Sequence, residues 1–122
     1  MFNDGVDVIY QVAGGSGVGI LQAGQSSGRY SIGTDTDQSG LQPESVVGSA
    51  LKNVGAAVFN AADAFAKGEL KEGVTINSDL KSDGVGFVVN SKITPTSIAQ
   101  QLEAYRLMVV SGKVVVATAL GH

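Results

Sequence analysis

The chain has no cysteine, only one histidine, and few charges for its length. Without cysteine there can be no disulfide, no thiolate metal ligand and no thiol nucleophile. That absence does not fix a compartment. The one histidine, His122, is the last residue, so a histidine base is not expected. Charged residues make up 16% of the chain and the net charge is −3, with no basic stretch. Sequence-nonspecific binding to nucleic acid needs clustered Lys and Arg, so no nucleic-acid partner is expected. No apolar run approaches the ~20 residues needed to span a bilayer. The start, Met1-Phe2-Asn3-Asp4-Gly5, lacks the basic residues and apolar stretch of a signal peptide. The expectation is a cytoplasmic chain, a mature protein, or an excised piece of a longer one.

What is present points to a folded globule. Hydrophobic residues make up 43% of 122 residues, enough for one domain, 1–122, with a single core. The 17 glycines are spread among apolar runs and read as turns and close contacts rather than a linker. The most informative stretch joins the apolar run Asp7-Val8-Ile9-Tyr10-Gln11-Val12-Ala13 to Gly14-Gly15-Ser16-Gly17-Val18-Gly19. This reads as a buried strand, a tight turn and the start of a helix whose free amides face the strand's carboxyl end. In open α/β sheets that edge is where ligands bind.

Along the chain, residues 17–25 suit a short helix, Tyr30–Thr34 a strand, and 35–40 a polar loop. Residues 46–51 form a third strand candidate. Val54, Ala57, Val58, Ala61, Ala62 and Phe65 make one apolar stripe at helical period. Asn53 can cap that helix and Gly68 can end it. Val74–Ser78 and Val85–Val89 read as strands, with a turn at Ser82-Asp83-Gly84. A last helix is expected to start at Thr94-Pro95, with Thr94 as cap and proline at the first helical position. Ile98, Leu102, Tyr105 and Val109 would line its buried side, and Gly112 would stop it. Val114–Val116 suits a short final strand. The pattern is α/β, a mostly parallel sheet with flanking helices.

Each candidate site residue has a functional and a structural reading. The glycine turn is not a P-loop, because no Gly-Lys-Ser/Thr follows. It is not a dinucleotide fingerprint either, because Ile20 stands where G-x-G-x-x-G needs its last glycine. It reads equally as a ligand cradle or as a turn that needs small residues, with Ser16 a further candidate contact. Asp35 and Asp37 can accept hydrogen bonds from ligand hydroxyls, as a sugar diol would offer, or form a solvated turn. A metal would want more oxygen ligands than this loop supplies. Lys52 could pair with Asp35 or bond a ligand hydroxyl, or be an ordinary surface lysine. The serines lack a histidine or lysine partner at a recognisable spacing, so no catalytic residue, metal or cofactor is expected.

Taken together, these segments resemble the basic membrane protein family, the purine nucleoside receptor type of substrate-binding lipoproteins, which deliver nucleosides to ABC importers. The resemblance is carried by residues 7–19, by Ile32-Gly33-Thr34-Asp35-Thr36-Asp37-Gln38, by Ser49-Ala50-Leu51-Lys52-Asn53-Val54 and by Asp83-Gly84-Val85-Gly86-Phe87. It implies a flavodoxin-like lobe of a type I periplasmic binding protein, in which two lobes clamp the ligand. The chain resembles most of the second lobe only. The first lobe, the lipid-anchor cysteine and the opening strand and helix of the second lobe are expected to be missing. The resemblance implies backbone contacts to a nucleoside at Gly14 and Gly15 and ribose contacts at Asp35 and Lys52, with Asp37 and Ser16 as lesser candidates. It also implies an extracytoplasmic parent protein with an ABC permease as partner. For this chain alone it implies weak or no binding, and self-association through exposed surface. Two other readings stay open: a small flavodoxin-like nucleotide or cofactor domain, and a self-assembling fragment with no ligand of its own.

Overall fold

The computed structural model describes residues 1–117. Seven main elements follow one another: β1 (Val8–Tyr10), α1 (Gly17–Ser26), β2 (Tyr30–Asp35), β3 (Val46–Lys52), α2 (Val54–Ala66), β4 (Val85–Val89) and α3 (Thr96–Val110). Single 3₁₀ turns occupy Phe2–Asp4 and Gly14–Ser16. The four strands form one sheet in the order β1-β2-β3-β4. β1, β2 and β3 run parallel, and β4 joins β3 antiparallel. The mostly parallel α/β sheet read from the sequence is therefore the observed one. Because the first three strands share a direction, Gln11, Asp35 and Lys52 all end up at one edge of the sheet.

The two faces differ. Ser31, Val46 and Ser49 point to the face covered by α1, which contributes Leu21, and all four side chains are fully buried. Small residues make this packing possible: a Cβ on Gly24 of α1 would overlap the Ser31 hydroxyl and come within 2.9 Å of the Ser45 hydroxyl. On the opposite face Tyr10, Tyr30 and Phe87 remain largely exposed.

Local signals hold at several ends. Asn53 Oδ1 accepts from the Ala56 amide at 3.0 Å, capping α2. Gly68 takes φ +72° just past that helix and Gly112 takes φ +78° just past α3, conformations that glycine adopts freely. Five expectations fail. β1 is shorter than the apolar run, because the Gln11 side chain accepts from the Ala13 amide at 3.1 Å and turns the backbone off the ladder. Val74–Ser78 forms no strand: Val74 and Ile76 are exposed and pair with nothing, and β-branched residues favour extended backbone only against a neighbour. Val114–Val116 likewise makes no strand. Thr94 does not cap α3. Its hydroxyl donates to the Val47 carbonyl at 2.8 Å, tying the helix start to β3, and Pro95 takes the cap position itself. Finally, α3 has no buried side: Ile98, Leu102 and Tyr105 are exposed and Val109 is half-buried. The stripe on α2 is similarly uncovered, with Val54, Val58 and Phe65 exposed. Periodicity identified both helices correctly, but not what they pack against. His122 lies outside the described residues.

Candidate functional site

The site is built where three parallel strands end. β1 hands the chain to the glycine turn, β2 ends on Asp35, and β3 ends on Lys52. Gly14 sits at φ +54°, in the left-handed region that glycine enters without strain. Gly15 has an ordinary φ, and a Cβ on either glycine would meet nothing within 4 Å. The space above both is open. It forms a cleft of about 350 Å³ lined by Gln11, Gly14, Gly15, Thr34, Asp35 and Gln38, together with Val18 and Thr36.

Asp35 is one of two non-glycine residues with positive φ among the described residues, at +71°. The Thr36 amide donates back to the Thr34 carbonyl at 2.9 Å across it. That bond and that φ together describe a three-residue γ-turn of the strained variety, centred on the acid. Strain of this kind persists only where surroundings hold it, and it is common at ligand clamps. The Lys52 ammonium lies 3.0 Å from Asp35 Oδ1. Both side chains are more than half-exposed or nearly so, so the pair contributes orientation more than stability.

Gly14, Gly15 and Asp35 thus share one cleft, and Lys52 reaches it through Asp35. The two lesser candidates point elsewhere. The Ser16 hydroxyl donates to the Ala13 carbonyl at 2.7 Å and closes the turn. Asp37 Oδ1 accepts from the Ser39 amide at 3.0 Å. Hydrogen bonding from the Ser39 backbone, then from its side chain, holds the Asp37 carboxyl below its usual pKa. Both residues serve the local backbone.

Sequence reading missed the polar residues behind the cleft. Gln11 is nearly fully buried at 3% exposure, although it stands in an apolar run. Its Nε2 donates to Gln38 Oε1 at 3.0 Å, and the Thr34 amide donates to the same oxygen at 3.0 Å. The Gln38 amide in turn donates to the Ser49 hydroxyl at 3.0 Å. A glutamine inside an apolar run just before a glycine turn was the available signal.

Chemically, the cleft offers the Asp35 carboxylate with the Lys52 ammonium beside it, the bare backbone of Gly14 and Gly15, and the neutral side chains of Gln11, Thr34, Thr36 and Gln38. Lys52, the cation at the end of β3, is paired with Asp35. A phosphate placed there would meet the Asp35 carboxylate, whereas a hydroxyl could donate to Asp35 and accept from Lys52.

Comparison with known proteins gives the family and the fold. Residues 1–118 match the family model described as ABC transporter substrate-binding protein PnrA-like (Bmp). The chain is 34% identical over 119 residues to Basic membrane protein A of Borreliella afzelii, covering 95% of the chain and 37% of that protein. It is 40% identical over 96 residues to Basic membrane protein D of Borreliella burgdorferi, covering 76% and 28%. The chain thus spans about a third of the length of these relatives, 37% of one and 28% of the other. Among solved structures it superposes on a transcriptional activator of the comK gene from Bacillus halodurans with TM-score 0.85 at 22% identity, covering 95% of the chain and 41% of that one. It also superposes on an ABC transporter solute-binding protein from Aeropyrum pernix K1 with TM-score 0.78 at 22% identity, covering 100% and 43%. At this identity the likeness shows the fold alone, an α/β fold consistent with type I periplasmic binding proteins.

Proposed function

Since the chain belongs to the PnrA-like family of ABC transporter substrate-binding proteins, we propose that it is one jaw of a nucleoside clamp, the larger part of a second lobe. The observation that carries this reading is the Asp35–Lys52 pair, 3.0 Å apart, at the mouth of a cleft floored by Gly14 and Gly15. Asp35 accepts from the ribose hydroxyls, Lys52 donates to one of them, and the glycine backbone lies close enough to meet the ligand without side chains in the way. The same carboxylate disfavours a phosphate, which argues against the nucleotide or flavin reading. The chain is not an enzyme on this account. It holds a small molecule for a permease, and its parent protein works outside the cytoplasm, anchored by a lipid.

Half a clamp holds its ligand weakly. Every 1.4 kcal/mol of lost contact is about tenfold in affinity, so a lobe alone binds weakly or undetectably. The exposed Tyr10, Tyr30 and Phe87 and the free outer edge of β1 favour self-association. Amide NMR titration of the chain with nucleosides, nucleoside monophosphates and flavin mononucleotide tests the ligand. Adenosine or guanosine should shift the Gly14 and Gly15 amides. Preference for a phosphorylated ligand would contradict the reading. Sedimentation should show a dimer or larger species at high concentration, and a clean monomer would remove that part of the proposal.

A further inference from the structure

The site has a second layer that the ligand contacts do not explain. Gln11 and Gln38 lie 27 residues apart, one leading into the glycine turn and the other in the loop after Asp35. Their amides are oriented by backbone donors, which leaves no freedom to flip. The Ala13 amide can only donate, so it fixes Gln11 Oε1, and Gln11 Nε2 must then find an acceptor. That acceptor is Gln38 Oε1, which the Thr34 amide fixes in the same way. The Thr34 hydroxyl donates to the Gln11 carbonyl, adding a second tie between β1 and β2. Ser49 then anchors the Gln38 backbone to β3 at 3.0 Å.

Two glycines on different elements make room for this pair. A Cβ on Gly17 would overlap the Gln11 amide. A Cβ on Gly33 would come within 2.8 Å of Gln38 Oε1 and 2.5 Å of the Ser49 hydroxyl. Neither glycine has positive φ, so neither is needed for its backbone conformation. Both are explained by the space the glutamines occupy.

We propose that Gln11 and Gln38 are positioning residues that couple the two ligand loops. Gln11 holds the root of the glycine turn through Ala13, Gln38 holds the root of the Asp35 turn through Thr34, and the bond between them fixes one loop relative to the other. Neither needs to touch ligand. The proposal rests on the clamp reading for its purpose, but the coupling itself can be measured without ligand.

The test is amide hydrogen exchange in the intact chain. Gln38→Ala removes the acceptor for the Thr34 amide directly. It touches Ala13 only through Gln11. Coupling requires the Ala13 amide to exchange about fivefold faster as well, the scale of one lost hydrogen bond, while the β2–β3 ladder amides stay unchanged. Gln38→Glu keeps an acceptor oxygen for both donors and should restore both protections. Gln11→Met should speed Thr34 exchange even though Gln38 is intact. Faster exchange at Thr34 alone, or a uniform rise across the sheet, would overturn the coupling. An adenosine titration of the same variants then reads the purpose: the midpoint should rise about fivefold in Gln38→Ala and return in Gln38→Glu. If exchange shows coupling but the native chain does not respond to adenosine, the clamp reading fails and the coupling stands.

Discussion

The part of the chain from β1 to β3 and the part from α2 onward are held in different ways. In the first, Leu21 and Val46 are fully buried, and around them Gln11, Ser31, Ser45 and Ser49 are buried too. Small and polar side chains fit closely there, and all but the Ser31 hydroxyl find partners. In the second, neither α2 nor α3 buries a single residue, and Phe59, Phe65 and Tyr105 are more than 60% exposed. The proposed ligand edge belongs to the first region. A binding edge can be held rigid by its own strands and one helix, while the apolar surface behind it is left for another surface to cover.

Substitutions can break this contrast. Leu21→Ala should cost about 3 kcal/mol, as a buried leucine that leaves a cavity does. Leu102→Ala, at 37% exposure on α3, should cost clearly less, and equal losses in urea denaturation would erase the distinction. Next in size, Gly17→Ala should cost about 2 kcal/mol, because its methyl group overlaps the buried Gln11 amide. Gly15→Ala, two residues earlier with open space around it, should stay within about 0.5 kcal/mol. That makes Gly15→Ala a probe of the cleft that leaves the fold alone.

The serine layer sharpens the comparison further. The Ser45 hydroxyl donates to the Arg29 carbonyl at 2.8 Å, so Ser45→Ala should cost about 1 kcal/mol. The Ser31 hydroxyl is buried without a partner, so Ser31→Ala should be neutral or slightly stabilising. Thermal denaturation of the two variants side by side checks this order. The smallest effect is at Asp37. A carboxyl whose pKa is depressed by folding adds stability that is present above its unfolded value and is lost as pH falls through the folded value. Asp37→Asn should therefore be slightly less stable than the native chain above about pH 4, where the unfolded carboxyl is ionised, and converge with it only as pH falls further, through the lowered folded value. Urea midpoints across that range read the difference.

What could be read in the sequence was what neighbouring residues decide. The glycine turn, the Asn53 cap and the Gly68 stop depend on backbone rules within a few residues, and each appears where expected. Asp35 and Lys52 could be brought to one edge because parallel strands end together, and the structure pairs them. Val74–Ser78 misled, because its composition suits a strand but the segment pairs with none. The Gln11–Gln38 bond was hidden, because 27 residues separate the two glutamines and only Gln11, polar within an apolar run, stood out by itself. The uncovered faces of α2 and α3 were invisible for the same reason: periodicity reports that an apolar stripe exists, not what it meets.

The account turns on Asp35 gripping a sugar diol. The most direct measurement is an amide NMR titration of this chain with adenosine and with 2′,3′-dideoxyadenosine, following Gly14, Gly15 and Asp35. Adenosine should shift all three, the dideoxy compound should leave them nearly still, and Asp35→Asn should abolish the difference. Equal shifts from both compounds would contradict the clamp.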